Sequence, residues 1–244
     1  MLPIGVVIAF SFNEPLGRFN FTWQRFGFDA WLNPFAYPGL QGAVEASIEI
    51  AVFASLCATA LGTLIALALV RYGFRGRGLT NFLIFMPMAT PEIVMGASLL
   101  TLFLNLGVPL GFGTILLAHI MFNISFVVVT VKARLVGFDR HLEEAAMDLG
   151  ATELVTFRRV TLPLIAPAIL AGALIAFALS IDDFVITYLN AGSVVTFPLF
   201  VWGAARVAVP PQINVIGTII FVVAVALMVG NVLVQRRREK GATA

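Results

Sequence analysis

Five apolar runs, at 42–70, 79–106, 114–133, 163–188 and 213–235, set the first limit on this chain. Each reaches the length of about 20 apolar residues that an α-helix needs to cross about 30 Å of hydrocarbon. A backbone in hydrocarbon must satisfy its own hydrogen bonds, and a helix does so within one segment. The expected fold class is therefore an all-α membrane protein. Composition agrees, with 60% hydrophobic residues, 11% charged residues and a mean hydropathy of +0.99. A sixth run, 1–12, is apolar but extends only about 18 Å as a helix, too short to cross. It lacks the basic flank and small-residue cleavage site of a signal peptide. Either the start is trimmed or misassigned, or the run is a half-span packed on its neighbours. The 244 residues leave room for about six spans and short loops, in one transmembrane domain over 1–244.

The net charge of +2 and pI near 9.0 do not indicate nucleic-acid binding, because topology accounts for the basic residues. Arg71, Arg75 and Arg77, then Lys132, Arg134, Arg140, Arg158 and Arg159, then Arg236, Arg237, Arg238 and Lys240 fall on one side. Arg18, Arg25 and Arg206 are left on the other. The positive-inside rule places the 71–78 turn, the 134–162 loop and the C-terminal tail in the cytoplasm. Residues 13–41, with Trp23, Trp31, Tyr37, Pro34 and Pro38, read as an external loop with interfacial anchors, and 189–212 as a second. Two prolines in the second long run, Pro87 and Pro91, predict a kinked span. Cys57, in an apolar run, reads as a small buried hydrophobe.

Between the fourth and fifth spans lies EEAAMDLGATELVTFRRVTLP, residues 143–163. Asp139 can cap a helix start, Leu142, Ala145, Ala146 and Leu149 share one helical face, and Gly150 suits a left-handed C-terminal cap. Thr152 can cap a second piece ending at Arg158 and Arg159, and Pro163 fits the first turn of the next span. A helix lying on the bilayer surface would carry Lys and Arg along its polar face. This one carries Glu143, Glu144 and Asp148 beside small apolar residues, which suits docking by a partner.

The stretch resembles the EAA loop of ABC importer permeases: Glu144, Ala145, Ala146, then Gly150, then Val160, Leu162 and Pro163 at the family's spacing, with Val160 where the pattern has Ile. The strings RYGFRGRGL, MPMATPEIVMGASLL and LAGALIAFALSIDDFVITYLNAG are similar to the spermidine/putrescine branch of these permeases, over about Phe10 to Arg238. The resemblance implies a type I ABC importer permease fold in the cell (inner) membrane, with a cytoplasmic coupling helix between the fourth and fifth spans. It also implies a second homologous permease subunit, two cytoplasmic ATPase subunits and an external substrate-binding protein. Leu142, Glu143, Glu144, Ala145, Ala146, Asp148, Leu149, Gly150 and Ala151 are then the expected ATPase-coupling residues. Nothing in the chain resembles a phosphate-cradling Gly-rich loop with its Lys. The chain is therefore expected to bind no cofactor, with ATP and Mg on the partner ATPase, and to be a transport subunit rather than an enzyme.

Ionisable groups inside a membrane are costly and point to a pathway. Glu92 lies 13 residues into its run, roughly 20 Å along a straight axis, beside Pro91. Asp182 and Asp183 come near the end of the 163–188 run, and Glu45 and Glu49 share a face at the start of the 42–70 run. Tyr188 and Trp202 are assigned to the substrate pathway with these five carboxylates. Such a lining attracts a cation, which agrees with the polyamine that the resemblance implies. On an unbroken helix Asp182 and Asp183 would point about 100° apart, so one lines the path while the other pairs with a neighbour. Glu45 and Glu49 also suit a solvated helix start, and Glu92 a neutral structural role at the proline break. His119 reads as a packing residue rather than a ligand.

Two other functions remain open from residues alone. An ion-coupled secondary carrier for a cationic solute would use Glu92 and the Asp pair but leaves the EAA-like loop without a role, and no internal repeat is seen. The same permease role for another small organic substrate is the second. An intramembrane hydrolase is disfavoured, because adjacent aspartates on one helix do not converge and no catalytic or metal-ligand spacing occurs.

Overall fold

The computed structural model of the chain describes residues 2–242, with side chains for 2–227, 229 and 230. Met1 and the basic tail side chains of Arg236, Arg237, Arg238 and Lys240, used above for orientation, lie outside that description. The elements are α1 (Leu2–Phe10), α2 (Asp29–Leu32), α3 (Leu40–Arg71), α4 (Arg77–Ala89), α5 (Glu92–Asn105), α6 (Phe112–Val136), α7 (His141–Asp148) and α8 (Glu153–Thr156). A π-helical turn (Phe157–Thr161) follows, then α9 (Leu162–Asp182), α10 (Val185–Asn190), α11 (Phe197–Ala204) and α12 (Pro211–Ala242). Among the described residues β structure is confined to two isolated bridges, Asn13 with Phe26 and Phe19 with Val209. The chain is all-α.

Among the described residues three helical stretches are long and apolar enough to cross a membrane: Leu40–Arg71, Phe112–Val136 and Glu153–Asp182. The α4–α5 pair makes a fourth if it counts as one span. The apolar part of α12, Pro211–Leu227, and the nine-residue α1 are shorter, and these two pack together.

Helices α3, α6 and α9 form the core. Ile50 meets Ile115 near one end, Gly62 faces Val127 at the middle, and Leu69 packs with Leu135 and Ile165 at the other. So α3 and α6 run parallel in direct contact, and α9 runs back against both. Close approach is set by small residues: a Cβ on Gly62 would lie 2.8 Å from Val127, and one on Gly172 would touch the same valine at 3.5 Å. Ala58, Ala66 and Ala176 line the same seam. In lipid, where no hydrophobic drive pulls helices together, dispersion across such close contacts does the holding. Cys57, expected inside, is exposed, because the α3 seam runs through Ala51, Ala54, Ser55 and Ala58 and turns position 57 outward.

The kinked span is in fact two helices meeting at 109°. Thr90 precedes a proline and is extended, with ψ 132°, and Pro91 follows with ψ 133°. Thr90 covers the break by returning its Oγ1 to Met86 O at 2.7 Å. The straight-helix rise that put Glu92 deep in a span therefore does not apply; Glu92 is the first residue of α5, beyond the elbow. A second difference concerns α8. Helical structure does not stop at Arg158 and Arg159 but continues through the π-helical turn into α9. Pro163 has no N–H to offer the preceding turn, and the wide turn absorbs that loss, with Leu162 N bonded to Phe157 O.

Residues 13–37 form an ordered hood rather than a loose loop. Asn13 Nδ2 donates to Asn20 Oδ1 and to Thr22 O, while its Oδ1 accepts from Gln24 N. The hood packs against 208–212, and between them lies an open pocket of about 420 Å³ lined by Glu14, Arg18, Arg25, Asp29, Tyr37 and Gln212 among others.

Candidate functional site

Two groups of expected functional residues lie at opposite ends of the core. At the end carrying Arg71, α7 stands on the bundle as a short helix with local punctuation at both ends. Asp139 Oδ1 accepts from His141 N at 3.0 Å. At the other end Gly150 takes φ +88°, Gly150 N bonds Met147 O and Ala151 N bonds Ala146 O. That is a Schellman closure, which a left-handed glycine makes possible. Thr152 then caps α8 through Val155 N. The chain thus turns sharply twice within a few residues, and α7 is left projecting.

Most of its surface is open. Leu142, Glu144, Ala145, Asp148 and Leu149 are exposed, Ala146 and Ala151 are half-buried, and Leu149 and the nearby Leu154 reach 89% and 75% exposure. Apolar side chains so exposed at a charged helix end form a surface suited to a protein partner. Glu143 departs from its neighbours. It turns inward and is bonded by Arg71 Nη2 and by Thr161 Oγ1.

At the opposite end α9 stops at Asp182, and Asp183, with ψ 124°, turns the chain into α10. The two aspartates are not successive residues of one continuous helix. Asp183 points inward: its Oδ2 accepts from Thr187 N at 2.7 Å and Thr187 Oγ1 at 2.8 Å, and lies 3.2 Å from His119 Nε2. His119 Nδ1 is 2.6 Å from Ser180 Oγ. Asp182 is exposed and has no hydrogen-bonding partner among the described residues. This divides the pair as expected, with Asp182 as the free carboxylate.

Around Asp182 the fold collects aromatic rings. Phe184 stacks on Tyr188 at 5.5 Å between centroids and meets Trp202 of α11 at 5.4 Å. The Arg206 guanidinium lies over the Trp202 ring at 4.9 Å. Glu92 reaches this group because α5 crosses α10 at close range. Gly96 lets the α10 backbone in, with Ile186 Cα 3.3 Å from where a Cβ would stand, and Asn190 Nδ2 donates to Gly96 O. Glu92, one turn before Gly96, is exposed and within electrostatic reach of Asp182. Below it the open face of α5 carries Ile93, Val94, Ala97, Ser98 and Thr101 along a shallow groove.

Glu45 and Glu49 are exposed on α3, and Glu45 accepts from Gln41 Nε2 at 2.8 Å. Among the described residues neither makes a hydrogen bond or ion pair to Asp182 or Asp183. Phe184, Ser180, Arg71 and Thr161 were missed by sequence reasoning. Phe184 had a signal, since it lies two residues from Asp182 and four from Tyr188.

Residues 58–238 match the family described as binding-protein-dependent transport system inner membrane component. The chain is 40% identical over 243 residues to the spermidine/putrescine transport system permease protein PotC of Escherichia coli (strain K12), covering 99% of this chain and 91% of that protein. It is 38% identical over 226 residues to the putrescine transport system permease protein PotI of the same organism, covering 89% and 80%. A solved structure of a bacterial ABC transporter involved in the import of the acidic polysaccharide alginate superposes with a TM-score of 0.72 at 15% identity, over 97% of this chain and 90% of that one. Those coverages leave neither core, elbow nor α7 outside the match, and the chain belongs to the binding-protein-dependent transport system inner membrane components, as a non-enzymatic permease subunit of an ABC importer.

Proposed function

We propose that this chain is the permease subunit of an ATP-driven importer for a small cationic organic solute, a polyamine such as spermidine or putrescine. The single observation that carries the substrate class is Asp182: an exposed carboxylate at a helix break, hydrogen-bonded to no other residue among those described, within electrostatic reach of Glu92 and two residues before Phe184, whose ring meets those of Tyr188 and Trp202. Two carboxylates attract spaced ammonium groups, and aromatic faces bind cations through the ring quadrupole. The Arg206 guanidinium on Trp202 occupies one such face within the chain itself. The names of the relatives above, which carry spermidine and putrescine, support the same class.

In this reading the Arg71 end faces the cytoplasm, where α7 docks on an ATPase subunit. Partners are a second homologous permease, two ATPase subunits holding ATP and Mg, and an external binding protein that delivers solute to the Asp182 end. ATP binds the closed ATPase dimer preferentially, and that difference biases the permease pair between states open to either side. The spans that rock are α9 and the α4–α5 elbow.

The test is uptake of labelled putrescine and spermidine into proteoliposomes holding the complete transporter. Glu92→Gln and Asp182→Asn each remove one charge and are expected to lower uptake on the order of tenfold, the worth of one charge-assisted hydrogen bond. Unchanged uptake in both variants rejects the polyamine site. Separately, Ala145→Arg is expected to release the ATPase subunits from the purified complex; their retention rejects α7 as the docking helix.

A further inference from the structure

Glu143 is the one acidic residue of α7 that does not face outward. Its side chain is 13% exposed, against 62% for Glu144 beside it. Its Oε1 accepts from both Arg71 Nη2 and Thr161 Oγ1, and Arg71 Nη2 also reaches Thr161 Oγ1 at 3.2 Å. Each corner of this triangle belongs to a different element. Arg71 is the last residue of α3, Glu143 lies in the first turn of α7, and Thr161, fully buried, is the last residue of the π-helical turn that opens α9. Helices α3 and α9 are two of the three core helices. The rest of α7 leans on the π-helical turn and α8, and its outward face makes no contact with the core.

We infer that Arg71, Glu143 and Thr161 form a strut that converts displacement of α7 into displacement of α3 and α9. They are positioning residues of the transport cycle, and Glu143 is not a docking contact. The inference rests on the reading of α7 as the ATPase-coupling helix. Its physical ground is that a partly buried ion pair, whose shared carboxylate oxygen is bonded by a third residue as well, resists separation far more than an exposed pair. A push on α7 therefore meets two core helices at once. Without the strut, α7 can swing on its Gly150 hinge while the core stays still.

The experiment measures putrescine transported per ATP hydrolysed by the complete transporter in proteoliposomes. Glu143→Ala and Arg71→Ala are each expected to lower this ratio about tenfold, with the ATPase subunits still co-purifying, since each leaves a charge without its partner. The exchange Arg71→Glu with Glu143→Arg is expected to recover at least threefold over either single variant, which a merely structural loss does not do. Should an alanine variant fail to assemble, Arg71→Lys and Thr161→Val carry the same comparison, because each keeps charge or volume while removing the shared geometry. An unchanged ratio in the assembled variants, or an exchange variant no better than the singles, overturns the strut. Ala145→Arg keeps the two ideas apart, since ATPase subunits that remain bound to it overturn the docking reading and leave the strut ratio as a separate result.

Discussion

His119 Nε2 lies 3.2 Å from Asp183 Oδ2, joining α6, one turn past Ile115, to the residue at which α9 gives way to α10. Both side chains are almost wholly buried, at 3% and 6% exposure. With Ser180 on the other ring nitrogen and Thr187 on the carboxylate, the imidazole fixes the turn that leaves Asp182 outside. Removing one partner of such a pair strands the other. His119→Ala is expected to cost about 3 kcal/mol, read as a lower midpoint in thermal unfolding of the purified chain. His119→Gln keeps a donor and is expected to lose less.

Two glycines separate crowding from backbone strain. A Cβ at Gly96 would stand 2.9 Å from Leu189 Cδ1, a side-chain tip that can move aside. Gly192 has φ +56°, and a Cβ there would lie 2.4 Å from Leu110 O, which is backbone and cannot. Gly96→Ala is expected to cost about 1 kcal/mol and Gly96→Leu up to about 3. Gly192→Ala should lower the melting midpoint more than Gly96→Ala, and the reverse order would show that α10 yields less easily than the loop after it.

Gly150 has open space around it, so only its φ of +88° restricts the residue there. A β-branched residue in that conformation costs about 1–2 kcal/mol, whereas Asn tolerates it. Gly150→Val is expected to abolish uptake at normal membrane abundance, by tilting α7 away from its docking angle, and Gly150→Asn to retain most of it. Gly150→Asp keeps that backbone but adds a negative charge beside Asp148 at the C-terminal end of α7, and should leave the chain folded and inserted while losing coupling. Quantifying uptake against inserted protein checks all three.

Trp202 tests the aromatic part of the proposed path. A cation over an exposed ring is worth about 0.5–1 kcal/mol, so Trp202→Ala is expected to raise the half-saturating putrescine concentration by about two- to fivefold. Trp202→Phe should lie between. A rise of the same size with a neutral solute would place the effect in packing rather than in charge.

What could be read in the sequence was chiefly local. Asp139, Gly150 and Thr152 act within a turn of themselves, so the shape of α7 was legible from residue type and spacing. The elbow was visible as Pro87 and Pro91, but its 109° was not, because α5 is held by Gly96 against α10, some ninety residues away. Glu143 and Glu144 look alike in sequence, and only Arg71 and Thr161 draw the first inward. The capping role of Asp183 was written in the Asp-to-Thr187 spacing. It was hidden by an apolar run that reads as one uninterrupted helix. Cys57 shows the same difficulty, since in a run that is apolar all round periodicity does not say which face turns inward.

The π-helical turn at Phe157–Thr161 holds one residue more than an α-helical ladder would. Tightening it to an α-helical ladder with all its residues kept would turn everything downstream by about 100° about its axis. Asp182, about six turns further on, would then look into a different quadrant. The heading of the carboxylate is set at the far end of its rod, by a widened coil that never touches the solute.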